Sequence, residues 1–146
     1  MVMQPDKTIL ALDVGHTRIG VARANIIARI SESLTTIDND SNTSDAIVDL
    51  IKKHGAVILV VGLPRGLQGQ ETDQTNYTKE FVKTIQTNVS IPIVLQDEAL
   101  SSVEAEEQLA RSGKKHDKST VDAVAAAAIL DRFLEANRGN LNRFYE

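Results

Sequence analysis

At 146 residues, 42% of them apolar and 25% charged, the chain has the size and balance of one globular domain that can bury its own core. Aromatic residues make up only 3% and cysteine is absent, so the core must rest on Ile, Val, Leu and Ala, and neither a disulfide framework nor a thiolate metal site is available. The net charge of −4 argues against a generic basic glue for nucleic acid. No signal-type N-terminus and no run of about 18 apolar residues is present, which points to a cytoplasmic protein without a membrane span.

Residues 8–13 (TILALD) form a short apolar run ending in a carboxylate and predict a buried strand. Gly15 supplies a turn, and residues 18–24 predict a second strand. A tight connection near Ala24 and Asn25 leads to a third strand over residues 26–37. Links this short allow only an antiparallel meander. After a polar linker at 38–44, Ser44 can cap a helix that carries Ala46, Ile47, Leu50 and Ile51 on one face and stops at Gly55. Residues 56–61 (AVILVV) are apolar on both faces, as a central parallel strand must be. A loop at 62–70 contains Pro64, Gly66 and Gly69, and a second helix over 72–87 spaces Tyr77, Phe81 and Ile85 by four. Residues 91–95 predict another buried strand. Ser101 and Glu104 form a capping box for a third helix that ends before Gly113. A basic loop follows at 114–119, then a last helix over 121–136. The expected architecture is α/β: a mixed five-stranded sheet, an antiparallel meander followed by parallel strands, flanked by helices. All of 1–146 forms one domain, with loose tails at 1–6 and 138–146.

Three acids stand where an acid is costly. Asp13 ends the first strand, Glu98 lies just past the strand at 91–95, and Asp122 is the only polar side chain in residues 121–130 (VDAVAAAAIL). An unpaired carboxylate in an apolar helix costs several kcal/mol unless a cation or a donor faces it. Ligands of open α/β sheets bind beyond the carboxyl ends of the parallel strands, where Asp13 and Glu98 both lie. Small Ala125 and Ala126 would let the last helix pack close and bring Asp122 to them. Such a convergence, without His or Cys, selects hard divalent ions, Mg²⁺ or Mn²⁺. Two such ions suit phosphodiester hydrolysis: one lowers the pKa of the attacking water and the other stabilises the leaving oxygen. Taken singly, each acid also has a plain structural reading. Asp13 can be a turn residue, Glu98 solvated loop charge, and Asp122 an N-cap or first-turn acid favoured by the helix dipole.

The segments at 10–15 (LALDVG) with 19–22 (IGVA), at 60–64 (VVGLP) with Gly69, at 97–105 (DEALSSVEA) and at 121–126 (VDAVAA) occur in that order. They resemble the YqgF, or RuvX-like, family, whose members are named as Holliday junction resolvases and pre-16S ribosomal RNA nucleases. The resemblance spans residues 8–134. It implies a ribonuclease-H-like fold, catalytic and metal-binding roles for Asp13, Glu98 and Asp122, and trimming of the 5′ end of precursor 16S rRNA. The chain departs from the family pattern at His16 and Thr17, at Gly66, and at Ala99, which removes a cation next to Glu98. The last change puts rate or substrate grip in doubt.

Other residues are candidates for contact with substrate. Arg18, Arg65, Lys114, Lys115 and Lys118 could hold phosphates, and His116 could shuttle a proton beside the last acid. His16 reads as a turn residue that could approach substrate, and His54 as a partly charged imidazole at a helix C-terminus. Gly66 and Gly69 lack the Gly-Lys-Ser/Thr of a nucleotide loop and read as a flexible substrate-facing loop. The expected partners are structured RNA (pre-16S rRNA) or branched DNA, and possible association with ribosomal particles, as monomer or homodimer. Two other classes compete. A sugar-kinase or actin-like ATPase shares the Asp-x-Gly-x-Thr loop, but it needs two such domains. A non-catalytic RNA- or ribosome-binding module would keep the fold without the activity.

Overall fold

The computed structural model describes residues 7–99 and 118–145. Five strands, β1 (Thr8–Val14), β2 (Arg18–Asn25), β3 (Ser31–Asp38), β4 (Ala56–Arg65) and β5 (Ile93–Ala99), form one sheet in the order β3-β2-β1-β4-β5. The first three make the expected meander, and β4 and β5 run parallel to β1. Among the described residues, three helices flank the sheet: α1 (Thr43–His54), α2 (Asp73–Gln86) and α3 (Lys118–Ala136).

The alternation of strand side chains splits the core in two. Ile9, Ala11, Ala22, Ala24, Ile58 and Val60 face α3 and meet Ala126, Ile129, Leu130 and Phe133. Leu10, Leu12, Ile19, Val21, Leu59 and Val61 face the opposite side and meet Ile47 and Ile51 of α1 and Ile85 of α2. Because β1 and β4 are apolar on both faces, both layers rest mainly on Ile, Val, Leu and Ala, with Phe133 the one fully buried ring among the described residues.

Several boundaries differ from expectation for identifiable reasons. The third strand starts at Ser31, not 26, because the Asn25 side chain accepts from the Ile27 and Ala28 amides at 2.8 and 3.1 Å and Arg29 takes a left-handed φ of 55°. Ser44 does not cap α1. Asn42 precedes the helix, and Thr43 Oγ accepts from the Asp40 amide at 2.8 Å. Gly55 does end α1, with φ 62°. β4 runs on to Arg65, through Gly62 and Pro64. Its pairing with β1 stops at Val61, so beyond that point only β5 hydrogen-bonds to it and a proline is tolerated. α2 begins with a capping box between Thr72 and Thr75, and buried Thr75 also donates to the Pro64 carbonyl. Residues 66–70 form a turn closed by Gly66 N to Gln70 O at 2.8 Å and Gly69 N to Gly66 O at 2.9 Å.

Residues 138–145 are no loose tail. A 3₁₀ turn at Leu141–Phe144 buries Leu141 in the α3-side core, and the Phe144 ring tilts against Phe133 with centroids 5.5 Å apart. The expected helix at 101–112, together with Lys114, Lys115 and His116, lies outside the described residues.

Candidate active site

The site grows out of one cross-strand pair. Asp13 of β1 stands opposite Gly20 of β2, and both point to the α3 side of the sheet. Gly20 has no side chain, and one would not fit. A Cβ there would overlap the Asp122 carbonyl and come within 2.9 Å of the Ala123 amide nitrogen. The α3 backbone therefore rests directly on β2, with Asp122 beside Asp13. Ala123 and Ala126, one turn apart and both buried, continue the close contact; of the two alanines the sequence singles out, Ala126 makes it and Ala125 is only partly buried. Gly62 gives the same relief at β4, where Ile129 occupies the space of a missing Cβ.

The electrostatics follow from this approach. Burial, and secondly the charge of Asp122, push the Asp13 carboxyl up to about 6 from its ordinary 3.8. Among the described residues no hydrogen bond reaches the Asp13 carboxylate. Asp122 has a partner: Arg18 Nε donates to its Oδ2 at 2.8 Å. α3 starts at Lys118 and has no acid in its first turn, so Asp122 is neither an N-cap nor a first-turn acid. Arg18, expected to hold substrate phosphate, pairs with the second carboxylate through its Nε.

Glu98 lies within β5 rather than past its end, because β5 starts at Ile93 and reaches Ala99. It is two residues along from Gln96, which pairs with Gly62, and Val94 before it faces α3, so Glu98 shares the face of Asp13. Its Oε1 accepts from Arg132 Nη1 of α3. Arg132 carries no sequence motif and escaped notice; ten residues separate it from Asp122, roughly 15 Å along the helix axis. Among the described residues, no three His, Cys, Asp or Glu side chains gather closely enough to hold a metal ion. Two of the three expected acids are thus neighbours, and the third is held by an arginine. That arginine also supplies a cation next to Glu98, where Ala99 does not.

The remaining candidates are placed as follows. Arg65 Nε binds Asp97 Oδ1 at 3.2 Å, and its Nη1 lies 3.9 Å from Glu71. Lys118 is the first residue of α3, not part of a loop. His16 is exposed and touches Gln74 Oε1 at 2.9 Å, while its ring lies 4.0 Å from that of Tyr77. Asn39 joins this cluster by donating to the Gly15 carbonyl at 2.8 Å and to Tyr77 Oη at 2.9 Å. These contacts fasten the loop after Asp13 to α2. His54 does end α1, but burial and then Arg23 and Lys53 lower its pKa, against the expected partial charge, and Arg23 Nη1 lies 3.2 Å from its Nδ1. Among the described residues no helix is long and apolar enough to cross a membrane.

Comparison with known proteins bears on this arrangement. Residues 7–136 match the family RuvX, described as Holliday junction resolvase. A Chloroflexus aurantiacus protein named "Putative pre-16S rRNA nuclease" is 41% identical over 145 residues, 97% of this chain and 95% of its own. A protein of the same name from Sulfurihydrogenibium sp. is 38% identical over 129 residues, covering 87% of this chain and 89% of its own. Among solved structures, Thermus thermophilus RuvC in complex with a Holliday junction substrate superposes with a TM-score of 0.53 at 12% identity, over 91% of this chain and 96% of that one. At that identity the likeness concerns the fold, which is ribonuclease-H-like as expected.

Proposed function

The chain belongs to the RuvX family, and from that premise we propose that it is a divalent-metal-dependent nuclease hydrolysing phosphodiester bonds at Asp13 and Asp122, with Glu98 as third carboxylate. One observation carries the reading. A half-buried carboxylate of raised pKa, with no hydrogen bond among the described residues, faces a second carboxylate at the end of a parallel strand.

The donor set is oxygen only, which fits Mg²⁺ or Mn²⁺ and disfavours softer ions. An ion bound between Asp13 and Asp122 would supply positive charge for the scissile phosphate and a water of lowered pKa. The chain's own residues do the rest. Pairing with Gly20 fixes the Asp13 backbone so that its side chain points to the α3 face. Arg18 orients Asp122 and offsets part of its charge. Glu98, on the same face, completes the acid set once it leaves Arg132. Phosphoryl transfer depends on positioning and charge neutralisation more than on a covalent nucleophile, and no cysteine or Ser-His-Asp arrangement is needed.

The names of the relatives favour precursor 16S rRNA as substrate. The family description favours four-way DNA junctions as the second reading, which requires two sites facing one junction across a two-fold dimer. The discriminating experiment offers both substrates with Mg²⁺ or Mn²⁺ to wild type and Asp122→Asn. The proposal expects metal-dependent cutting of the RNA that falls at least a hundredfold in the variant. Cutting of the junction alone, by a dimer, would favour the second reading. Equal cutting by wild type and variant, or none of either substrate, would remove the site from consideration and leave a binding module of the same fold.

A further inference from the structure

The cations of this molecule are sorted by position. Of the lysines and arginines whose side chains are described, seven pair with acids: Arg18, Arg23, Arg65, Lys79, Lys83, Arg132 and Arg138. The other five, Lys7, Arg29, Lys52, Lys53 and Arg143, pair with no acid among the described residues. All five are exposed, and all five lie at one end of the sheet.

That end is opposite the carboxylates. The Lys7 carbonyl accepts from the Ile26 amide at 3.1 Å, which joins the start of β1 to the β2–β3 hairpin. The Thr8 amide donates to the Gly55 carbonyl at 3.2 Å, which brings in the last turn of α1 with Lys52 and Lys53. Arg29 Nη1 donates to the Arg138 carbonyl at 2.6 Å, and Arg143 Nη2 to Asn137 Oδ1 at 3.1 Å, which adds the residues after α3. Two rings interleave with the charges: Lys7 Nζ lies 5.0 Å from the Tyr145 ring centroid, and the Arg143 guanidinium 4.6 Å from that of Phe144. From Thr8 to Asp13 the strand rises about 17 Å.

We propose that this basic end is a second docking surface for the nucleic-acid backbone, gripping the substrate at a distance from the carboxylates. The inference rests on the proposed nuclease function. An acidic pocket in a chain of net charge −4 repels phosphates, and the arginines flanking it, Arg18 and Arg65, are engaged by Asp122 and by Asp97. Among the described residues, the cations that pair with no acid are then the ones left to attract the backbone. Lys52 and Lys53 also complement the α1 dipole, which accounts for a basic last turn without any ligand. That account does not reach Lys7 or Arg29, which belong to no helix. About 17 Å of separation corresponds to roughly five phosphates of one strand, so a substrate reaching both places must extend beyond the cut.

The test is fluorescence anisotropy with a labelled precursor 16S 5′-end RNA in EDTA, across a salt series. It compares wild type, the triple variant Lys7→Gln, Lys52→Gln, Lys53→Gln, and a control, Lys79→Gln with Lys83→Gln, in which only paired lysines change. The triple variant should bind roughly tenfold or more weakly, and its log–log salt slope should fall by about 2, while the control stays near wild type. Arg143→Gln, which leaves β1 and α1 untouched, should give a smaller loss in the same direction even if the triple variant melts early. Wild type that binds and cuts RNA, with the triple variant and Arg143→Gln unchanged in affinity and slope, would overturn this inference alone. Wild type that neither binds nor cuts would overturn it together with the functional reading.

Discussion

Asp13 pays for its position in the absence of a cation. In the unfolded chain it ionises near 3.8, whereas in the folded protein it does so at about 6. Between those values the native state holds a proton that the unfolded state has lost, so this group's contribution to stability falls as pH rises through the interval, by up to about 3 kcal/mol. Asp13→Asn removes the penalty. Urea unfolding in EDTA should show the variant gaining on wild type between pH 4.5 and pH 7, by roughly 2 kcal/mol; a difference independent of pH would refute the assignment. Asp13 and Asp122 were legible in the sequence because each interrupts an apolar run, where a carboxylate without a purpose is expensive. The partners were not legible. Arg18 and Arg132 look like ordinary surface arginines until the fold brings Asp122 and Glu98 to them.

At the scale of elements, the decisive contact is α3 lying on β2. It depends on Gly20, a residue that the strand pattern alone marks as a weakness. Gly20→Ala would drive a methyl group into the α3 backbone, which cannot yield as a flexible side chain could. The expected cost is about 3 kcal/mol of stability, with loss of the Asp13–Asp122 juxtaposition. Thermal unfolding checks the first effect, and the pH dependence just described, which should flatten in this variant, checks the second. An alanine variant with wild-type stability would show that α3 does not rest where it is described. Sequence pattern gave the order and type of the described elements, since periods of two and of 3.6 residues are strong signals. It shortened β4 and β5 at their carboxyl ends, where the apolar run gives way to Gly62, Pro64, Gln96 and Glu98. Those strands continue because backbone pairing between β4 and β5 persists without apolar side chains. The 3₁₀ turn at Leu141–Phe144 was missed because four residues are too few to show a period.

For the molecule as a whole, the mixed sheet separates two kinds of charge. Among the described residues, Asp13, Asp122, Asp97 and Glu98 lie toward the end where β1, β4 and β5 finish, and the cations that pair with no acid lie at the end where β1 begins. The overall charge of −4 conceals this division, and so a reading from net charge alone undervalues nucleic acid as a partner. The account as a whole turns on whether Asp13 and Asp122 hold a divalent ion. Calorimetric titration of Mn²⁺ into wild type and Asp13→Asn at pH 7.5 measures this without any substrate. Wild type should take up the ion with a heat that weakens at least tenfold in affinity on the substitution. Identical isotherms for the two proteins would contradict the account.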